Sequence, residues 1–377
     1  MDFDRKLFLA LSGLLLGIGV LMVYTASVTS RPTEFEQVYL VRHLGAVAVG
    51  LCLAFAAAAV HAERWQRWAP WLFWGTLLLL VAVLIPGVGT RVKGAQRWLR
   101  IAGVSVQPSE LAKIALPLWT CALIGLRRGQ LSGWWTGTVP ILWPTCLVVP
   151  LVLVEPDLGT AVFLAGGTMV AVYLGGWPWT RFAWAAGLLV PASSCLLLLK
   201  PYQQRRIIGF LETWSDFDAA PYQIKQSLVT LGSGGWTGEG LGKGWQKLSF
   251  LPEANTDFVF AVIGEELGLV GTVGLVAVWC GLYVSGVRIL SAHDVRSYRF
   301  LAGVTLLTQL VVQAVLNVAV VTAMVPPKGI SHPLVSAGGS NLVVSLMMLG
   351  IVWGLSRPTM SELTDRAELP VEPRQAA

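Results

Sequence analysis

The chain has 377 residues, a net charge of +6 and a mean hydropathy of +0.65; 55% of its residues are apolar and only 13% are charged. A soluble domain carries about 25% charged residues, so these values exclude a string of soluble domains and leave one polytopic membrane bundle. No nucleic-acid partner is expected.

Apolar runs long enough to cross lipid, about 17 to 25 residues each, fall near 7–27, 43–60, 69–86, 109–126, 138–154, 159–176, 179–199, 258–286, 300–324 and 333–355. They predict an all-α integral membrane protein of ten transmembrane helices over residues 1–356. The first run follows two basic residues, is long for a signal-peptide core and lacks a small-x-small cleavage site, so it reads as a helix that stays. A large extracytoplasmic loop, 200–257, separates helices seven and eight, and residues 357–377 form a polar cytoplasmic tail expected to be disordered. Cys52, Cys121, Cys146, Cys195 and Cys280 all lie in apolar runs without CxxC spacing, so neither a disulfide framework nor a zinc site is expected. The four histidines are scattered.

Ten helices put both termini on one side. Thirteen Lys and Arg fall on that side and thirteen on the other. Ten of the latter crowd into two loops: Arg91, Lys93, Arg97 and Arg100, then Lys200, Arg205, Arg206, Lys225, Lys243 and Lys247. Setting those loops aside, the positive-inside rule places the termini in the cytoplasm. The two loops then carry cations against the trend. They are either solvated charge or a basic surface for an anionic ligand such as a lipid phosphate.

Five polar stretches follow in chain order. In "VKGAQRWLRIAGVSVQPSELAK" (92–113), Arg97 sits in a glycine-bearing loop and Pro108 suits the first turn of a helix. Glu110 and Lys113 share a face of that helix at i,i+3. Lys113 is the one basic residue placed inside a span, which makes it either half of a structural pair or a functional group. In "LVEPDLGTA" (153–161), Glu155 and Asp157 form either a tight turn with a helix cap or a weak site for a divalent cation, Mg²⁺ or Mn²⁺. In 203–258, "PYQIKQSLVTL" reads as an amphipathic surface helix, and Arg205 and Arg206 offer bidentate phosphate recognition. "LPEANTDFVFAVIGEELGLVG" (251–271) holds four carboxylates. Asp257 lies at a helix mouth, where partial desolvation suits a general base and a capping role competes. Glu253 would share its helix face if the helix began that early, and Glu265 and Glu266 suit structural partners of buried polar groups. The last stretch, "NVAVVTAMVPPKGISHPLVSAGGSNLV" (317–343), is a proline-broken turn with Lys328 and then the small residues around Ser336, which suit close helix packing or, for Lys328 and Ser336, one shared outer cavity.

Taken in order, "GVLMVYTAS", "GAQRWL", "QPSELAK", "EPDLGTA", the run from "YQIKQSLVTLGSGG" to "GEELGLVG", and "PPKGISHPLVSAGGS" resemble the SEDS family of peptidoglycan glycosyltransferases, the FtsW, RodA and sporulation proteins. "QKLSFLPE", "VIGEELG" and "PPKG" are similar to the FtsW and sporulation branch rather than to RodA. The resemblance implies a ten-helix fold and polymerisation of lipid II at the outer face of the bacterial cytoplasmic membrane, releasing undecaprenyl pyrophosphate. It implies that Asp257 is the catalytic aspartate and that Arg97, Glu110 and Lys113 belong to the cavity. It implies a class B penicillin-binding protein as transpeptidase partner, with other divisome or elongasome membrane proteins. The chain departs from the family at Asn255, Pro327, His332, Ala337 and Asn341; His332 stands in place of the leucine of "LPFISYGGSS". The leaving group's charge would meet Arg97, Lys113, Arg205 or Arg206. A lipid II flippase, an elongation rather than division role, and a scaffold that recruits the transpeptidase are the competing readings.

Overall fold

The computed structural model describes residues 2–27, 34–92, 95–101, 104–187, 201–218, 220–245 and 250–357. Helices dominate, as lipid requires of a chain that cannot close a barrel. They are α1 (Asp2–Ser27), α2 (Glu34–Ala59), α3 (Ala62–Leu84), α4 (Pro108–Leu126), α5 (Val139–Val154), α6 (Leu158–Leu174), α7 (Pro201–Ser215), α8 (Tyr222–Ser233), α9 (Val259–Leu290), α10 (Tyr298–Val321) and α11 (Gly339–Leu355). Residues 179–187 are also helical. Seven of the described helices are long and apolar enough to cross a membrane, and α6 and α11 are shorter apolar helices. The seventh predicted span runs on through 188–199, outside the described residues, as do most of the expected tail and Lys93, Lys200 and Lys247.

Between α3 and α4 a glycine-bearing loop was expected around Arg97. The chain instead forms an antiparallel sheet of β1 (Gly89–Val92), β2 (Ala95–Ile101) and β3 (Val104–Val106) in the order β1-β2-β3. Thr90, Val92, Ile101, Val104 and Val106 are β-branched and suit such strands. Gln96 fastens the sheet to the end of α3, its amide donating to the carbonyls of Val83 (2.9 Å) and Ile85 (3.0 Å).

Within lipid, packing and interhelical hydrogen bonds hold helices together, each bond worth about 0.6 kcal/mol on average. α4 and α10 form the interior: 78% and 61% of their apolar windows are buried, against 17% for α2. α10 packs against α4, α6 and α11; α1 lies along α9 and α2 along α11. The last pair approaches closely because Gly350 faces the Ala54 carbonyl, 2.2 Å from where a Cβ would stand.

One end of the bundle is tied by chain ends. Arg5 donates to the Ser356 carbonyl (2.6 Å), Arg299 to that of Arg357 (2.7 Å), and Arg299 pairs with Glu63 (2.7 Å). At this terminal end Arg181 donates to the Gly133 carbonyl (3.1 Å) and lies over Trp134, while Arg128 donates to the carbonyl of Arg296. The opposite end gathers the sheet, residues 155–157, the described parts of 201–258 and the segment between α10 and α11. Ser340 donates to the Ser105 carbonyl there (3.0 Å).

Candidate active site

The segment 325–338 is the hub of that opposite end. Two adjacent prolines, Pro326 and Pro327, cannot continue α10, so the chain turns back across the bundle before α11. Asn317, in the last turns of α10, donates through Nδ2 to the carbonyls of both Asp257 and Ile330, each at 2.7 Å. The Ala337 amide donates to the Asn255 carbonyl (2.9 Å). Asp257 is thereby held from both sides.

The helix does not begin early enough to carry Glu253 and Asp257 on one face. Glu253 takes φ 57° and its carbonyl accepts from the amides of Thr256, Asp257 and Phe258. The result is a compact turn, and α9 starts only at Val259. Asp257 therefore sits just before the positive end of a long helix, where a carboxylate is favoured. Its Oδ2 lies 2.9 Å from the place a Cβ would take on Gly329, so the hub passes close beside the carboxylate.

Lys328, Arg206 and Arg97 lie at this end of the bundle. Lys328 neighbours Gly329 and faces Asp157; burial pushes its ammonium pKa below the usual value and Asp157 pulls it back up. Arg206 donates to the Pro327 carbonyl (3.2 Å). Arg97, on β2, donates to the carbonyls of Glu155 (2.9 Å) and Pro156 and meets Asp157 Oδ2 at 3.5 Å. Asp157 is also the N-cap of α6, its Oδ1 accepting from the Thr160 amide (3.1 Å). Glu155 is 0% exposed, and among the described residues neither carboxylate oxygen has a hydrogen-bond partner. Burial first, then the neighbouring Asp157, push its pKa up to about 8 against the pull of Arg97.

Deeper in the bundle, Lys113 donates to both carboxylate oxygens of Glu110 (2.7 and 2.8 Å) and to Gln313 Oε1 (2.9 Å). Asn341 Nδ2 donates to Glu110 Oε2 (3.1 Å). The i,i+3 pair is thus buried and supported by neutral amides, which is what a desolvated ion pair requires. Gln313 carries the connection onward, donating to the Ser331 carbonyl (2.9 Å). The buried pair and Asp257 are therefore linked through the hub.

The structure brings Arg97, Asp157, Lys328, Arg206 and Asp257 to one end and sets Glu110 and Lys113 beneath them. Ser336 lies inside the hub, 2% exposed, its hydroxyl accepting from the His332 amide (2.8 Å). The side chain of Arg205 lies outside the described residues. Sequence reasoning missed Gln313, Asn317 and the part played by His332. Gln309, Gln313 and Asn317 follow one another at i,i+4 on α10, which was the available signal. Glu155 and Asp157 have no third His, Cys, Asp or Glu ligand beside them among the described residues. Asp157 is engaged by Arg97 and by its cap.

Residues 5–360 match the model of the FtsW/RodA/SpoVE family, described as cell cycle proteins. The chain is 38% identical over 344 residues to a probable peptidoglycan glycosyltransferase FtsW of Geobacter metallireducens, covering 90% of each chain. It is 37% identical over 361 residues to the one of Trichlorobacter lovleyi, covering 94% of this chain and 93% of that one. Among solved structures, a chain from a peptidoglycan synthase complex that coordinates polymerization and crosslinking aligns with a TM-score of 0.75 at 29% identity, covering 96% of this chain and 98% of that one. The rod shape determining protein RodA of Thermus thermophilus aligns with a TM-score of 0.68 at 29% identity, covering 93% and 95%. With the full span matched in sequence and in fold, the chain belongs to the FtsW/RodA/SpoVE family of multi-pass membrane proteins.

Proposed function

We propose that the protein is a peptidoglycan glycosyltransferase that polymerises lipid II, with Asp257 as general base. The observation that carries this reading is the placement of the Asp257 carboxylate at the rim of a basic cluster, its backbone clamped to the segment that bears Lys328. Asp257 takes the proton of the acceptor sugar hydroxyl. The freed oxygen attacks the donor's anomeric carbon, and the bond to undecaprenyl pyrophosphate breaks with its electron pair on the phosphate oxygen. Arg97, Arg206 and Lys328 are cations at the same end of the bundle that would receive that charge. Lys113 has its donors committed to Glu110 and Gln313 and supports the hub from below.

The likeness to the FtsW relatives supports the division branch, and the peptidoglycan synthase neighbour supports a class B penicillin-binding protein as partner. The bacterial cytoplasmic membrane is the expected location, with both termini in the cytoplasm and Asp257 at the outer face. The test is purified protein in detergent with lipid II. Wild type is expected to make glycan polymer, and Asp257→Ala to lose at least about a hundredfold in rate, the scale of a general base. Because detergent removes sidedness, polymer formation separates an enzyme from a flippase. Undiminished synthesis by Asp257→Ala ends the base assignment.

A further inference from the structure

We propose that His332 is a positioning residue for Asp257, acting through Asn317, in a relay that begins at Trp279. The inference rests on Asp257 being the general base. It starts from four polar contacts among side chains that composition would assign to an apolar interior.

Trp279, on α9, donates from Nε1 to His332 Nε2 at 2.9 Å. His332 Nδ1 lies 3.0 Å from Asn317 Oδ1. Asn317 Nδ2 then reaches the carbonyls of Asp257 and Ile330 at 2.7 Å each. Trp279, His332 and Asn317 are 4%, 1% and 0% exposed, so water does not compete for these bonds.

The direction of every link is fixed by its ends. An indole N–H only donates, so His332 Nε2 must accept. The ring is then neutral with its proton on Nδ1, which donates to Asn317 Oδ1. Backbone carbonyls only accept, so the Asn317 amide must present Nδ2 to Asp257 and Ile330. A ring of the other tautomer would place a lone pair against Oδ1. The Asn317 amide would then gain by flipping, and two carbonyls would lose their donor.

The arrangement also explains the packing of the imidazole. It stacks on Phe260 (centroids 6.4 Å apart, 17° between planes) and meets Trp279 edge-on (5.8 Å, 69°). Its own backbone amide donates to Ser336 (2.8 Å). The ring is thereby held in one rotamer. What it holds is the distance between Asp257 and the Lys328–Gly329 stretch, the two parts of the site that must face one substrate. A misplaced base costs rate rather than affinity.

The closing experiment compares His332→Asn, His332→Gln and Trp279→Phe with wild type and with Asp257→Asn, as purified protein in detergent, reading kcat and KM for lipid II polymerisation and the melting temperature. The amide nitrogen in His332→Asn overlays Nδ1 and keeps a donor for Asn317; the longer side chain in His332→Gln overlays Nε2 and does not. His332→Asn is expected within about twofold of wild type in kcat. His332→Gln and Trp279→Phe are expected to lose on the order of tenfold in kcat with KM unchanged, the scale of one positioned hydrogen bond. Equal kcat for the Asn and Gln variants, or wild-type kcat for Trp279→Phe, overturns the relay. Should His332→Gln not fold, Trp279→Phe decides alone, since a phenyl ring fills most of the indole's place. Activity retained by Asp257→Asn instead overturns the base assignment beneath it, a separate outcome.

Discussion

At the scale of single residues, Glu155 stands in an environment mismatched to its ordinary chemistry. It stands one position beyond α5, buried, with both oxygens unpartnered among the described residues and its pKa pushed from an ordinary 4.5 to about 8. The sign of its effect on stability follows by linkage. Below pH 4.5 it is protonated in both folded and unfolded chain. Between 4.5 and 8 the unfolded chain has released the proton while the fold retains it, so stability falls as pH rises across that window and levels above it. Glu155→Gln removes the ionisation while keeping the shape. It is expected to melt about 2–4 °C higher than wild type at pH 8 and at the same temperature below pH 4.5, with a flatter pH profile between. Equal melting temperatures at pH 8 would show that Glu155 is ionised there at no cost. Gly329 makes a second case. A methyl there would stand 2.9 Å from Asp257 Oδ2. Gly329→Ala is expected to lower kcat about tenfold or more, while the melting temperature stays within a degree or two, because the hub's hydrogen bonds run through Ser331, Ile330 and Ala337 rather than Gly329.

At the scale of elements, α9 is broken just after its two glutamates. At Gly268 the backbone leaves helical geometry (φ 66°, ψ −163°), and the neighbouring carbonyls and amides lose their intrahelical partners. The glycine-rich loop after α8 replaces them. Glu239 and Gly240 donate to the carbonyls of Glu265 and Glu266 (2.9 and 3.0 Å), and the amides of Leu269 and Val270 donate to Gly235 and Trp236 (2.9 and 3.1 Å). Glu265 Oε1 accepts from the Trp245 amide (2.8 Å). Gly238 lies so close that a Cβ would stand 2.2 Å from the Glu266 carbonyl oxygen, at φ 78°. Gly238→Ala is expected to cost on the order of 2–4 kcal/mol. Gly242→Ala, at the same φ of 78° but with open space around it, is expected to cost about 1 kcal/mol. Thermal unfolding of the two variants checks the difference, and equal losses would mean that the docking contact contributes nothing. Of the two glutamates expected to partner buried polar groups, Glu265 does so through Oε1 with the Trp245 amide, while Glu266 accepts from Gly240 through its backbone carbonyl. The kink was not legible in the sequence, since Gly268 within an apolar run has no neighbour in sequence that announces it. The three strands were hidden for a related reason: segments of four, seven and three residues give too little alternation to stand out from a loop. α7 went unseen because its charged and apolar residues are mixed within one long polar loop.

At the scale of the whole molecule, hydropathy made the bundle legible because lipid leaves the backbone no other solution. The site was only half legible. Asp257, Arg97 and Lys328 carry charge and so stand out against apolar surroundings, whereas Trp279 and His332 join the Asp257 backbone through neutral hydrogen bonds that leave no mark on charge, and Gln313 and Asn317 leave only their i,i+4 spacing on α10. Orientation is the remaining property that the sequence argues and the fold constrains. Arg5, Arg299, Ser356 and Arg357 join both chain ends at one end of the bundle, so whichever face holds the termini, Asp257 and the basic cluster lie at the other. The Lys and Arg distribution argues for termini in the cytoplasm, as the proposed polymerisation of a lipid-linked sugar at the outer face requires. Ser105, on β3, is exposed at the Asp257 end, and Ala292, just after α9, is exposed at the terminal end. In a background with the five native cysteines replaced, a membrane-impermeant maleimide applied to intact cells stripped of their outer layers is expected to label Ser105→Cys and to leave Ala292→Cys unlabelled until the membrane is opened. The reverse pattern would place the basic cluster in the cytoplasm, and with it the Asp257 carboxylate on the wrong side of the membrane to extend a glycan strand.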